Sequence, residues 1–160
     1  SATVVHAENE PTSSGWTITT GSPTFNVKTT TPVGPPGAGS HGYYGGGSVV
    51  RSTLYKDFSF PTGWAAKVAA GKAVIRLRCY TFNSNDDDDV GVRLSFNGSA
   101  SCVLDTGQLV TTSIPQNIEL TGAVPTDATS IRVQLDFWRQ DGTVNDGGLS
   151  QMSILMFEVP

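Results

Sequence analysis

At 160 residues the chain is one domain by the usual ~100 to 200 residues per domain, and long enough to bury a core. Its net charge of -4 and pI ≈ 4.9 exclude the basic footprint of a nucleic-acid-binding protein, and no run approaches the ~18 apolar residues that would insert in a membrane. Gly at 18, Pro at 9 and 15% charged residues disfavour helices and predict an all-β fold with many turns.

Taken in order, Ala2 to His6 reads as a short strand before an acidic turn, and GWTITTG, 15 to 21, as a second in which Trp16 and Ile18 share a face. Residues 22 to 48 read mostly as a Gly- and Pro-rich loop carrying His41, Tyr43 and Tyr44. VVRSTLYKDFSF, 49 to 60, is a strand with Leu54 and either Tyr55 or Phe58 in the core. PTGWAAKVAAGKA then allows one short helical turn ended by Gly71, with Trp64 packing in the core or at its rim.

AVIRLRCYTF, 73 to 82, alternates strictly: Ile75, Leu77 and Cys79 face one way, Arg76, Arg78 and Tyr80 the other. Residues 90 to 96 and 101 to 106 read as a hairpin turned by Asn97 and Gly98, and 117 to 125 as a shorter strand. In SIRVQLDFW, 130 to 138, Ile131, Val133, Leu135 and Phe137 alternate with Arg132, Gln134, Asp136 and Trp138. Met152, Ile154, Met156 and then Phe157 and Val159 close the core at the C-terminus. Eight or nine strands spaced by about ten residues predict a two-sheet antiparallel β-sandwich, a jelly roll, filling 1 to 160 as a single domain.

Cys79 and Cys102 fall in register with inward neighbours and read as buried thiols, with a disulfide between them as the alternative. With neither an initiator Met nor a signal-type run, the chain is expected to be a soluble mature form or an excised domain.

The early GW, the glycine-rich loop, SxLYKDFSFP at 52 to 61, AVIRLRCYTFNS and the final VPTDATSIRVQLDFWRQDGTVNDGGLSQMSIL together resemble the galactose-binding-domain-like jelly rolls. The resemblance spans nearly the whole chain. It implies the fold of noncatalytic carbohydrate-binding modules, of related domains in secreted bacterial glycosidases and of phage tail proteins. It also implies a structural calcium held by an early Glu or Asn and a late Asp. Glu8 and Asn9 could supply the early ligands, whereas Ser150 stands at the late position, which puts the calcium in doubt.

Carbohydrate recognition needs flat apolar rings for the C–H faces of a sugar and planar donors and acceptors for its hydroxyls. Arg76, Arg78 and Tyr80 on one strand, and Arg132, Gln134, Asp136 and Trp138 on another, offer both if the strands are neighbours in one sheet; Arg93 would join them. The expected ligand of that platform is a glycan, an acidic one given the arginines. The plain alternative is cross-strand ion pairing on a wet face, with Trp138 half covered. Tyr43 and Tyr44, flanked by Gly42 and Gly45, are a second candidate as a loop clamp, or else a plug against the sandwich edge.

The acidic run Asp86 to Asp89 invites a calcium reading but lacks the Gly and closing Glu of an EF-hand, so a solvated, self-repelling turn is the expectation. Asp141 to Asp146 reads first as turn chemistry. No GxSxG, HExxH or phosphate loop occurs, and neither His6 nor His41 can be tied to a nucleophile, so no enzyme activity is expected. The sequence therefore points to a secreted, noncatalytic carbohydrate-binding module. The rival reading is a structural or attachment domain of a virion, as a homo-oligomer or joined to a larger protein. A small polysaccharide lyase or hydrolase is the third.

Overall fold

A computed structural model describes residues 2 to 7, 14 to 28, 41 to 82, 88 to 100, 103 to 112 and 114 to 160, with 25 to 28 and 41 described by backbone alone. Two antiparallel sheets pack face to face. In the first, β10 (Gln116–Ala123) pairs with β6 (Ala73–Phe82) and β6 with β12 (Gly148–Glu158). The free edge of β12 is shared: β4 (His41–Tyr44) pairs with its start and carries β3 (Thr24–Lys28) outside it, while β1 (Ala2–Ala7) pairs with its end.

The second sheet runs β2 (Thr17–Thr20), β5 (Arg51–Phe58), β11 (Ser130–Trp138) and β7 (Asp89–Asn97), with the short β8 (Leu104–Asp105) and β9 (Leu109–Val110) on the outer edge of β7. Among the described residues there is one helix, α1 (Trp64–Ala69), which buries Trp64 and Val68. The β-sandwich is as predicted. Three strands lie beyond the nine read from the sequence: β9, and β3 and β4 inside the stretch read as a loop.

The core follows from alternation. On β11, Ile131, Val133, Leu135 and Phe137 are at most 1% exposed. They meet Ile75, Leu77 and Cys79 of β6, Val90, Val92, Leu94 and Phe96 of β7, and Met152, Ile154 and Met156 of β12 in one cluster. Leu54 and Phe58 of β5 join it, whereas Tyr55 lies on the other face, half buried.

β12 departs from simple alternation. Its register against β6 shifts between Ser150, opposite Tyr80, and Ser153, opposite Arg78, and Gln151 takes a positive φ of 51°. This bulge inserts one residue, so that Leu149 and Met152, three apart, both point into the core. Beyond it, Phe157 falls on the outer face under the Arg76 guanidinium, 4.9 Å from its ring centroid, and does not close the core as expected.

Cys79 is buried in the core, as predicted, while Cys102 lies outside the described residues. Among the described residues no helix is long and apolar enough to cross a membrane.

Candidate functional site

Directly paired residues of antiparallel strands project to the same side, and the register of the second sheet therefore lays out its outer face row by row. Arg132 lies between Asp57 and Ser95; Gln134 between Tyr55 and Arg93; Asp136 between Thr53 and Gly91; Trp138 between Arg51 and Asp89. Thr17 extends the Gln134 row beyond Tyr55, and Asp105 extends it beyond Arg93. Strands about 4.8 Å apart and residues about 3.3 Å apart along a strand set these side chains out as one polar surface.

Its aromatic floor is Trp138. A Cβ added at Gly91 would lie 3.0 Å from two atoms of the Trp138 six-membered ring and 2.8 Å from the Gly107 carbonyl oxygen. A side chain at this position would crowd both the indole and the Gly107 carbonyl, so glycine permits their close approach to β7. Trp138 is partly buried, and the Arg51 guanidinium stands 5.2 Å from its ring centroid.

Asp136 holds this arrangement from beneath. At 6% exposure its Oδ1 accepts hydrogen bonds from Arg51 Nη2 at 2.8 Å and Thr53 Oγ1 at 2.6 Å, and its Oδ2 accepts one from Gln134 Nε2 at 2.7 Å. A buried carboxylate with three donors orients them, and removal of any one donor would leave charge poorly solvated. Asp136 is thus a positioning group and not an exposed contact.

Arg132 is committed elsewhere. Its Nε and Nη2 donate to the two carboxylate oxygens of Asp57 at 2.7 and 2.8 Å, and the guanidinium lies 4.0 Å from the Tyr55 ring centroid. The Arg132 hydrogen bond, opposed by desolvation, holds the Asp57 carboxyl below the usual carboxylate range. A depressed folded-state value means stability present above the unfolded value of about 4 and lost as pH falls through the folded one. The pair is solvent-screened, so Asp57→Asn should cost under about 1 kcal/mol at pH 7 in urea unfolding, and the difference should fade below about pH 4. A cost that stays constant down to pH 2 would remove the ion pair as its cause.

The structure separates the residues that the sequence grouped together. Arg76, Arg78 and Tyr80 sit on β6 of the first sheet, and their outer face points away from that of β11. Alternation defines two sides of one strand but is silent on which strands are neighbours, so the single platform does not exist. On the first sheet Arg78 Nε is paired with Glu119 Oε2 at 2.5 Å, Arg76 covers Phe157, and Tyr80 stands opposite Asn117 and Ser150.

Tyr43 and Tyr44 are likewise not on a loop. They form part of β4, with Tyr43 1% and Tyr44 6% exposed; the Tyr43 ring meets Trp16 at 5.3 Å and the Tyr44 ring meets Phe82 at 4.8 Å. A side chain covered to this degree has no ring face for a sugar, so the plug is observed and the clamp is not. The glycines around them make room for an aromatic ring, since a Cβ at Gly42 or Gly148 would come within 2.3 or 2.4 Å of Phe82.

The acidic run is also corrected where it is described. Asp88 is 0% and Asp89 6% exposed, not solvated. The Asp88 carboxylate accepts backbone N–H groups of Gln140 at 2.7 Å, Asp141 at 3.3 Å and Asp146 at 2.9 Å, and so ties the β11–β12 connection to β7. Asp89 Oδ2 accepts Gln108 Nε2 at 2.5 Å and Gln140 Nε2 at 2.8 Å, beside Trp138. Asp86, Asp87, Glu8 and Asn9 lie outside the described residues. Ser150, at the position of the late calcium ligand, is fully buried and offers a hydroxyl where a carboxylate was expected. Among the described residues no three His, Cys, Asp or Glu gather to hold a metal ion.

Sequence reading missed Arg51, Tyr55, Asp89 and Gly91. The first two were legible in principle, because Arg51, Thr53, Tyr55 and Asp57 alternate with Ser52, Leu54 and Phe58.

No protein-family model matches the chain and no curated protein matches its sequence. Solved structures do match its fold. The CBM22-1 xylan-binding domain of a Paenibacillus barcinonensis protein superposes with a TM-score of 0.56 at 12% identity, over 99% of this chain and 97% of that one. A cyclase from Fischerella sp. TAU gives 0.62 at 9% identity, with both chains covered to 100%. The enzymatically active domain of tailspike protein 4 from bacteriophage CBA120 gives 0.57 at 11%, over 91% of this chain; this chain spans 20% of that one. The chain therefore shares the two-sheet β-sandwich fold of these structures, the architecture that the sequence resemblance implied.

Proposed function

We propose that the chain is a noncatalytic carbohydrate-binding module, acting outside the cell, whose ligand lies across the outer face of β5, β11 and β7. The observation that carries this reading is the Trp138 indole close over Gly91 and beside Arg51, with the buried Asp136 holding both Arg51 and Gln134. The exposed part of the indole supplies a C–H stacking surface, and free donors of Arg51 with the Gln134 carbonyl supply partners for hydroxyls. The xylan-binding domain with the same fold supports the class of ligand. The carboxylates described on this face, Asp57, Asp89, Asp105 and Asp136, are all engaged as hydrogen-bond acceptors, which suits binding better than acid–base chemistry.

The test is sedimentation of the protein with insoluble xylan, galactan, cellulose and pectin, with calcium and with a chelator, while assaying for released sugar. Retention on at least one polysaccharide with no product is the expected result. Product release would make the chain an enzyme, and no retention together with a defined oligomer in light scattering would favour a structural or attachment domain of a virion. Retention lost on chelation would restore the calcium site and direct attention to Glu8 and Asn9.

A further inference from the structure

All six arginines are within the described residues, and five are committed. Arg51 pairs with Asp136, Arg78 with Glu119 and Arg132 with Asp57. Arg139 donates to the carbonyl oxygens of Ser48 at 2.7 Å and Thr143 at 3.3 Å, and Arg76 lies over Phe157. Among the described residues no anion, carbonyl or ring stands against Arg93, although two acceptors adjoin it in register. Gln134 on one side gives its amide to Asp136, and Asp105 on the other turns its Oδ1 to the Gly107 N–H at 2.8 Å.

An exposed arginine opposite an aspartate would ordinarily pair with it. Here that aspartate caps its own turn, and Arg93 is exposed on the outer face between β11 and β8. Its place relative to the indole is fixed by β7. Arg93 and Gly91 are two residues apart on the same side of the strand, about 6.6 Å by strand geometry, and the Trp138 ring lies on Gly91. A sugar on the indole therefore brings its own substituents, or those of its neighbour, to the guanidinium.

We infer that the ligand of this face is an acidic polysaccharide and that Arg93 binds its anionic substituent, most suitably the planar carboxylate of a uronic acid. This rests on the carbohydrate-binding reading and adds the charge of the ligand to it. A guanidinium presents a planar fork that matches a carboxylate with two parallel hydrogen bonds, which an ammonium cannot do. The chain as a whole carries -4 and Asp105 stands opposite Arg93 in register, so the preference depends on direct contact with the guanidinium and not on long-range attraction.

The experiment compares polygalacturonate, neutral β-1,4-galactan and dextran sulfate by affinity electrophoresis and calorimetry, for the wild-type chain, Arg93→Gln and Arg93→Lys. The expected result is tighter binding of polygalacturonate than of galactan, weakened by salt. Arg93→Gln should lower the ratio of the two affinities roughly three- to tenfold, with Arg93→Lys restoring only part of it. Because Arg93 is exposed, the variants should melt with the wild type, which separates this effect from misfolding. Dextran sulfate binding as well as polygalacturonate, through Arg93, would support the anionic class and remove the carboxylate preference. Galactan and polygalacturonate binding equally, indifferent to Arg93→Gln, would overturn this inference and leave the carbohydrate-binding reading standing. No binding to any of the three, nor to the insoluble polysaccharides, would overturn both.

Discussion

Trp138→Ala is expected to weaken polysaccharide binding by about thirtyfold, roughly 2 kcal/mol, while lowering the stability of the fold by only about 1 kcal/mol. The asymmetry follows from where the indole rests. Its ring is supported by Gly91 and flanked by Arg51, but it contributes nothing to the cluster between the sheets. Truncation removes the stacking surface and also leaves the Arg51 guanidinium with Asp136 as its one remaining contact. Calorimetric titration with a retained polysaccharide, beside thermal melting of the same variant, reads the two effects independently. Intact binding with a large drop in stability would turn Trp138 into a packing residue and move the site elsewhere.

Phe137→Ala should do the reverse. The phenyl ring is 0% exposed between the sheets, and large-to-small changes at such positions cost about 3 to 5 kcal/mol, since the cavity fills only partly by relaxation. For a domain with the usual ~5 to 15 kcal/mol of total stability, that is a substantial fraction of the whole. Chemical denaturation checks the cost, and binding measured well below the unfolding midpoint should be close to the wild type. Two adjacent residues thus report on opposite faces of one strand. Exchange of their effects would mean that β11 is displaced by one residue in register, which moves every side chain of the strand to the other face.

Much of the fold was legible because a strand buried on one side writes its own orientation. The alternation in 73 to 82 and 130 to 138 gave the inward and outward residues of β6 and β11 correctly down to Cys79 and Phe137. The assignment of strands to sheets was not legible, since pairing in a jelly roll joins segments far apart in sequence. β11 lies between β5 and β7, and β6 lies between β10 and β12. The assembled platform of Arg76, Arg78 and Tyr80 with Trp138 failed at that step. β4 was missed for a different reason. Its glycines read as turn chemistry, whereas Gly42, like Gly148 of β12, accommodates the Phe82 ring in a tightly packed strand pair. The burial of Asp88 was hidden because four consecutive aspartates look solvated, and nothing local reveals that backbone donors from residues more than fifty positions away converge on one of them.

That convergence has a consequence for how the surface meets a ligand. The connection from β11 to β12 begins beside Trp138, and a polar segment in such a position would ordinarily sample many conformations until something bound to it. Asp88 gathers three of its amides at once, so the order is installed when the chain folds. On the carbohydrate-binding reading, a polysaccharide, itself flexible, would meet a segment that is already in place. Its association loses mainly the freedom of the sugar and little of the protein, and the affinity such a shallow face can reach is correspondingly higher.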